Sequence, residues 1–159
     1  MEFRLAAATS AAILFLAGSA DAQVLMHRDV SLKMALTIAQ TALEECGGTA
    51  SVVVVDRAGR VRVMLQGDTA SPHNPELARR KAYTARTFRT TSAEWAKRTE
   101  TTNAGQRMLV DVIPLGGGVP INVGEETIGA VGLSGAPGGQ AREEICGKAG
   151  IAKVADQLK

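Results

Sequence analysis

The fold class is decided by the stretch SVVVVDRAGRVRVMLQ, residues 51–66. Its first part holds four consecutive valines, which are too β-branched for a comfortable helix and favour a strand. Its last part, residues 60–66, alternates apolar with polar side chains, as a strand with one buried face does. The turn-forming sequence Asp56-Arg57-Ala58-Gly59 lies between the two parts, so the stretch predicts a β-hairpin.

A second hairpin is predicted further along the chain. Residues 119–123 and 127–134 have strand character and are joined by Gly124-Glu125-Glu126, while the triplet Gly116-Gly117-Gly118 precedes them. Four helical segments surround the hairpins, namely 31–46, 75–88, a shorter piece from 92 that carries Trp95, and 140–157. Hairpins between helices imply an antiparallel sheet with helices packed on it, so we expect an α+β layered domain.

Helix-start signals support two of these segments. Ser31 is expected to cap the first helix, which Gly47-Gly48 ends. Asn74 is expected to cap the second helix, with Pro75 at its first position and Glu76 near the positive end of its dipole.

The amino terminus, residues 1–22, has the features of a cleavable signal peptide. Arg4 lies in a short charged region, residues 5–20 are almost wholly apolar or small, and Ala20-Asp21-Ala22 offers small side chains at the positions that a signal peptidase reads. A membrane-spanning helix is the alternative, but the apolar run is short and is interrupted by Ser, Thr and Gly. We therefore expect a periplasmic or secreted protein that consists of one domain, residues 23–159.

The charge of this domain is mild. Removal of Glu2, Arg4 and Asp21 with the leader raises the formal net charge from +2 to +3. This value does not indicate nucleic-acid binding.

Two cysteines, Cys46 and Cys146, remain in the predicted mature chain. An oxidising compartment favours a disulfide if the fold brings them together, and two buried free thiols are the alternative. The absence of a Cys-x-x-Cys motif argues against a thioredoxin-like centre, a zinc knuckle and covalently attached haem.

Two places could carry a ligand. His73 lies just before a helix whose next two turns carry Arg79, Arg80 and Lys81, so it could bind a metal or haem iron while the cations hold carboxylates. A surface histidine beside a solvated basic face is the alternative. The glycine-rich turns 116–118 and 132–139 could present backbone N–H groups to an anion, or could simply close the hairpin.

Recognisable catalytic motifs are missing from the sequence. It contains no G-x-S-x-G, no H-E-x-x-H and no P-loop. His27, near the expected mature terminus, is interpreted as part of a disordered end rather than as a ligand.

Four segments together resemble the GlcG/HbpS-type, or haem-degrading-domain, family. They are VVVVDRAG (52–59), ARRKAYTA (78–85), GGVPI (117–121) and IGAVGLSG (128–135), in the family's order and spacing. The resemblance extends over about residues 31–158. The cysteine pair and the Pro72-His73 step are similar to those of the exported branch of the family.

This resemblance implies a profilin-like or PAS-like domain, assembly into homo-oligomers, and haem or a related tetrapyrrole as ligand. Members have been described as haem binders, haem degraders, accessory sensors beside membrane kinases, and domains fused to corrinoid adenosyltransferases. The family often has Asp where this chain has Glu143, which leaves any role of that acid open.

Our leading hypothesis is an exported haem-binding protein that contributes to haem handling or sensing. His73 is its candidate axial ligand, and the other candidate cofactor-binding residues are Arg79, Arg80, Lys81 and Tyr83. One alternative is an enzyme that degrades haem or acts on a small organic acid, using Lys81, Tyr83 or a glycine-turn anion site. Another is an accessory module for a membrane sensor, in which a Cys46–Cys146 bond changes redox state.

Overall fold

A computed structural model describes residues 23–159 of the chain. The predicted signal peptide, residues 1–22, lies outside the described residues. Within the described part no helix is long and apolar enough to cross a membrane.

Four helices and four strands build the domain. In chain order they are α1 (Leu32–Glu45), β1 (Ser51–Val55), β2 (Val61–Gln66), α2 (Asn74–Phe88), α3 (Ser92–Thr101), β3 (Gly118–Val123), β4 (Glu126–Ser134) and α4 (Gly139–Ala152). Short 3-10 helices at Ala104–Met108 and Ala155–Gln157 follow α3 and α4.

The strands form one antiparallel sheet in the order β2-β1-β4-β3. Each predicted hairpin is present, and β1 joins them by pairing with β4, from Ser51 opposite Ser134 to Val55 opposite Ala130. The central strand β1 is buried along its whole length, which explains why its valines form a continuous run instead of alternating with polar residues. The predicted α+β layered fold is therefore confirmed.

One face of the sheet carries the larger core. Val52 and Val54 point to this face, where α1 and α4 cover the sheet. Cys46, just after α1, is bonded to Cys146 of α4, with 5.7 Å between their Cα atoms. The predicted disulfide is thus present and links the two helices of this layer.

The opposite face carries α2, which lies very close to the sheet. Val53 and Val55 contact a row of alanines on α2, and Gly132 of β4 lies under that helix. A Cβ atom at Gly132 would meet the carbonyl oxygen of Ala78. The small residues on both sides therefore determine how closely the helix approaches.

Of the two predicted helix caps, one is present and one is not. Ser31 caps α1 as expected, through a bond from the Met34 N–H to its hydroxyl at 3.2 Å. Asn74 is not the cap of α2: it is the first helical residue, and its side chain turns inward to contact Ser134. The prediction of Asn74 as a cap was wrong because a tertiary partner competes for its amide.

The ends of the last two helices also differ from the predictions. Helix α4 ends at Ala152 rather than near residue 157. The polar composition of residues 99–105 predicts a loop, but α3 continues into this stretch as far as Thr101. Its Trp95 is fully buried and stacks on Phe88, with 4.8 Å between ring centres.

Candidate functional site

The residues predicted from the sequence to bind haem do not form one site. His73 is exposed at the amino-terminal end of α2. Tyr83 lies near the other end, where its ring edge lies against Gly59 in the turn between β1 and β2. At about 1.5 Å per residue, the helix separates these two positions by roughly 15 Å along its axis.

Arg79 and Arg80 have partners within the protein. The Arg79 guanidinium donates to both carboxylate oxygens of Glu76 at 2.8 Å and to Asp111 at 2.7 Å. The hydrogen bond from Arg79 lowers the pKa of Glu76 below its usual range. Arg80 donates to the carbonyl oxygen of Val112 at 2.6 Å. Both guanidinium groups therefore fasten α2 to the segment that precedes β3.

Lys81 points inward. Its ammonium donates to Glu143 Oε2 at 2.6 Å, and the two side chains are only 3% and 5% exposed. The other carboxylate oxygen of Glu143 accepts the N–H of Gly135 at 2.8 Å. Glu143, whose role the sequence left open, is thus the partner of Lys81.

Three N–H groups of the glycine-rich turns have partners within the protein. Gly116 donates to Gln140 Oε1 at 2.5 Å, and Gly118 donates to the Ser92 hydroxyl at 2.8 Å. The N–H of Gly135 is bound by Glu143 as described. These donors are therefore not free for an anion, and the geometry favours the alternative that the turns close around the hairpin.

A different set of side chains forms an open cavity of about 330 Å³ at the turn between β1 and β2. It is lined by His27, Asp29, Arg57, Ala58, Arg60 and Arg86. The lining comes from three separate parts of the chain: the segment before α1, the turn, and the last part of α2. Tyr83 contacts the same turn at Gly59, next to the cavity.

Two aspartates hold the walls of this cavity in place. Asp29 Oδ1 accepts the N–H groups of Val30 and Arg57 at 2.7 and 2.9 Å, which ties the amino-terminal segment to the turn. Asp56, almost fully buried, accepts the N–H groups of Ala58 and Arg60. The turn is therefore fixed by its own side chains, and Asp29 anchors the chain two residues after the exposed His27.

The three arginines of the cavity differ in their partners. Arg57 is paired with Glu126, and Arg60 donates from Nε to Asp56 at 3.1 Å. Arg86 makes no ion pair with any of residues 23–159, and its Nε is buried without a hydrogen-bond partner. Burial, together with the nearby charges of Arg57 and Arg89, lowers the pKa of the Arg86 guanidinium, and the charges of Asp29 and Asp56 oppose this shift in part.

The cavity therefore combines one imidazole with a guanidinium that makes no ion pair among residues 23–159. An imidazole can bind a metal or haem iron, and a guanidinium binds carboxylate or phosphate through paired N–H donors. No three metal-ligating side chains cluster anywhere in residues 23–159.

Sequence reasoning missed this group because His27, Arg57 and Arg86 are far apart along the chain. The available signal was weak. Arg86 follows Tyr83 and Arg79 on one stripe of the predicted helix.

Comparison with known proteins gives one consistent family. The sequence model of the HbpS-like haem-degrading proteins matches residues 28–152. The chain is similar to a double mutant of HbpS from Streptomyces reticuli, with 31% identity, a TM-score of 0.75, and coverage of 90% of this chain and 97% of that chain. No curated protein matches the chain significantly.

Two more distant structures share the fold. Klebsiella pneumoniae ORFY is 21% identical with a TM-score of 0.75, over 86% of this chain and 98% of that chain. The PduOC:haem complex is 22% identical with a TM-score of 0.68, over 77% and 93%. Because the family model matches residues 28–152 and the chain is 31% identical to HbpS, this chain belongs to the HbpS-like family of haem-degrading proteins.

Proposed function

We propose that the chain is an exported haem-binding protein that uses the cavity at the turn between β1 and β2, with His27 as the ligand of the iron. The observation that carries this proposal is the presence of an imidazole and guanidinium groups in one open cavity. Membership of the HbpS-like family and the likeness in fold to a PduOC:haem complex support haem as the ligand.

Three features of the cavity and the chain beside it support haem as the ligand. The cavity volume of about 330 Å³ falls within the range of small-molecule sites, roughly 300 to 1,000 Å³. Arg86 offers a buried donor without a partner. Val24, Leu25 and Met26, directly before His27, are exposed apolar residues that a flat apolar ring can cover. Bound haem would supply iron for redox or oxygen chemistry.

The protein's own part in this function is to bind and orient. His27 presents its imidazole, the bond between Asp29 and the Arg57 N–H holds the segment that carries His27, and the cations attract an anionic ligand. His73 remains the candidate that the sequence suggested, at the opposite end of α2 and about 20 Å from Arg86 along the helix axis.

The test is an absorption titration of the purified mature protein with haemin. The variant His27→Ala removes the proposed ligand, and His73→Ala is a matched control because it removes the other histidine of the chain. We expect saturable binding with a sharp Soret shift in the wild type and in His73→Ala, and loss of that spectrum in His27→Ala.

Two results would contradict the proposal in different ways. Loss of the Soret shift in His73→Ala alone would move the ligand to the sequence-predicted position. Absence of saturable binding in the wild type would contradict haem binding itself.

Export and assembly are further parts of the proposal. The apolar leader with its small-residue cleavage site supports a periplasmic or secreted location, and the buried disulfide suits an oxidising compartment. Exposed apolar residues at Met108, Leu109 and Val110 suit a homo-oligomer or contact with a membrane sensor. Mass spectrometry of the secreted chain tests cleavage before Gln23, and light scattering of the pure protein tests assembly.

A further inference from the structure

The feature behind this inference is the unpaired guanidinium of Arg86. Its Nε is buried and has no hydrogen-bond partner. A buried donor left unpaired, in a group that carries charge, is costly, so it points to a partner from outside the chain, such as a ligand, an ion or a water molecule.

The carboxylates around the cavity make no hydrogen bond or ion pair with Arg86. Asp29 Oδ1 already accepts two backbone N–H groups, and Asp56 accepts two more together with Arg60. Glu126 is paired with Arg57. Arg86 is therefore the one arginine of the cavity that makes no ion pair among residues 23–159. Arg57 and Arg89 add positive charge around it, which the charges of Asp29 and Asp56 offset in part.

We propose that Arg86 is a carboxylate receptor, and that it holds a propionate of the haem bound at this cavity. A carboxylate matches the two parallel N–H donors that a guanidinium edge presents, and its negative charge complements that of the guanidinium. The identity of the carboxylate as a propionate rests on the proposed function. A free small carboxylate has the same chemistry, and the experiment separates the two sources.

The experiment measures the affinity of the full mature protein for haemin and for haemin dimethyl ester, in which both carboxylates are blocked. Arg86→Gln is expected to weaken haemin binding about ten- to hundred-fold, the range for a lost charged hydrogen bond. The same substitution is expected to leave the affinity for the ester unchanged. Arg86→Lys keeps the positive charge but lacks the two parallel N–H donors, so we expect an intermediate loss of haemin affinity.

Arg98→Gln is the matched control, because Arg98 is exposed on α3 and lies outside the cavity. It removes the same charge and should leave both affinities unchanged. Thermal unfolding of each variant shows that it is folded. Since Nε of Arg86 has no partner in the protein, Arg86→Gln should not lower the melting temperature.

A second arm measures the melting temperature with succinate. Arg86→Gln could leave the haemin affinity unchanged but abolish the rise in melting temperature that succinate causes. In that case Arg86 binds a free carboxylate rather than a propionate. The inference would be overturned if Arg86→Gln weakened the binding of haemin and of the ester equally, or if it had no effect in either arm. If the wild type fails to bind haemin, the proposed function fails and the succinate arm alone decides the role of Arg86.

Discussion

The ammonium of Lys81 donates a hydrogen bond of 2.6 Å to Glu143 in the interior of the protein. Lys81 belongs to α2 on one face of the sheet, and Glu143 belongs to α4 on the other face, so the pair connects the two helical layers. A Cβ atom at Gly117 would meet the Glu143 side chain, which explains why glycine stands at this crossing, with a φ of +111°.

Loss of one partner of this pair should be costly. Lys81→Met leaves the Glu143 carboxylate buried without its cation, and we expect a loss of about 3 to 5 kcal/mol in the free energy of unfolding. Urea denaturation measures this loss, with Lys97→Met, an exposed position on α3, as the control. Adding Glu143→Gln to Lys81→Met should restore part of the stability, and a single-variant loss below about 1 kcal/mol would contradict a buried ion pair.

The disulfide should stabilise the protein strongly because it closes a long loop. Cys46 and Cys146 are 100 residues apart in sequence, so the chain-entropy account gives about 4 to 5 kcal/mol. We expect the double variant Cys46→Ser/Cys146→Ser to lose about this amount in urea denaturation. Both sulfur-bearing side chains are buried, so reductant should release thiols in the native protein only slowly. Rapid release without unfolding would instead favour the redox-switch alternative.

Gly132 should tolerate no side chain. In Gly132→Ala the added methyl group meets the Ala78 carbonyl oxygen and the Ala82 backbone nitrogen, so α2 must move away from the sheet. We expect a loss of about 3 kcal/mol or more, at the upper end of overpacking effects. Gly105→Ala is the control, because no atom lies within 4 Å of the new Cβ there. Equal melting temperatures for the two variants would show that α2 is not in close contact with β4.

The start of α3 should make stability depend on pH. Hydrogen bonds from Thr90 and Thr91 lower the pKa of Glu94 below its ordinary value of 4.5. Because the pKa is lower in the folded state, the stabilisation is present above 4.5 and is lost as the pH falls through the folded value. We expect Glu94→Gln to reduce this acid-dependent loss, measured by urea denaturation at about pH 7 and about pH 3. An equal loss of stability in the wild type and the variant would contradict this role of Glu94.

The same capping box gives a prediction at neutral pH. The Thr91 hydroxyl accepts the N–H of Glu94, and Glu94 accepts the N–H of Thr91. Thr91→Ala should therefore cost about 1 kcal/mol. An unchanged denaturation midpoint would show that this cap contributes nothing to stability.

Local sequence patterns predicted the strands, turns and caps correctly where no tertiary contact opposed them. The valine run of β1 and the turn at 56–59 required only β-propensity and turn chemistry, and Ser31 caps α1 through a bond within its own first turn. Asn74 failed as a cap because Ser134, sixty residues away in sequence, takes its side chain. Helix ends that depend on such partners cannot be read from periodicity.

The sequence by itself determined the α+β class, the two hairpins and the resemblance to the haem-degrading family, since these depend on short-range patterns and ordered motifs. Only the tertiary structure decided which charged side chains are available to bind a ligand. It turned Lys81 inward to Glu143, gave Arg79 and Arg80 partners near residue 111, and left Arg86 unpaired beside His27. The reason is physical: a side chain's charge is visible in the sequence, but its burial and its partners are set by residues that meet only after folding.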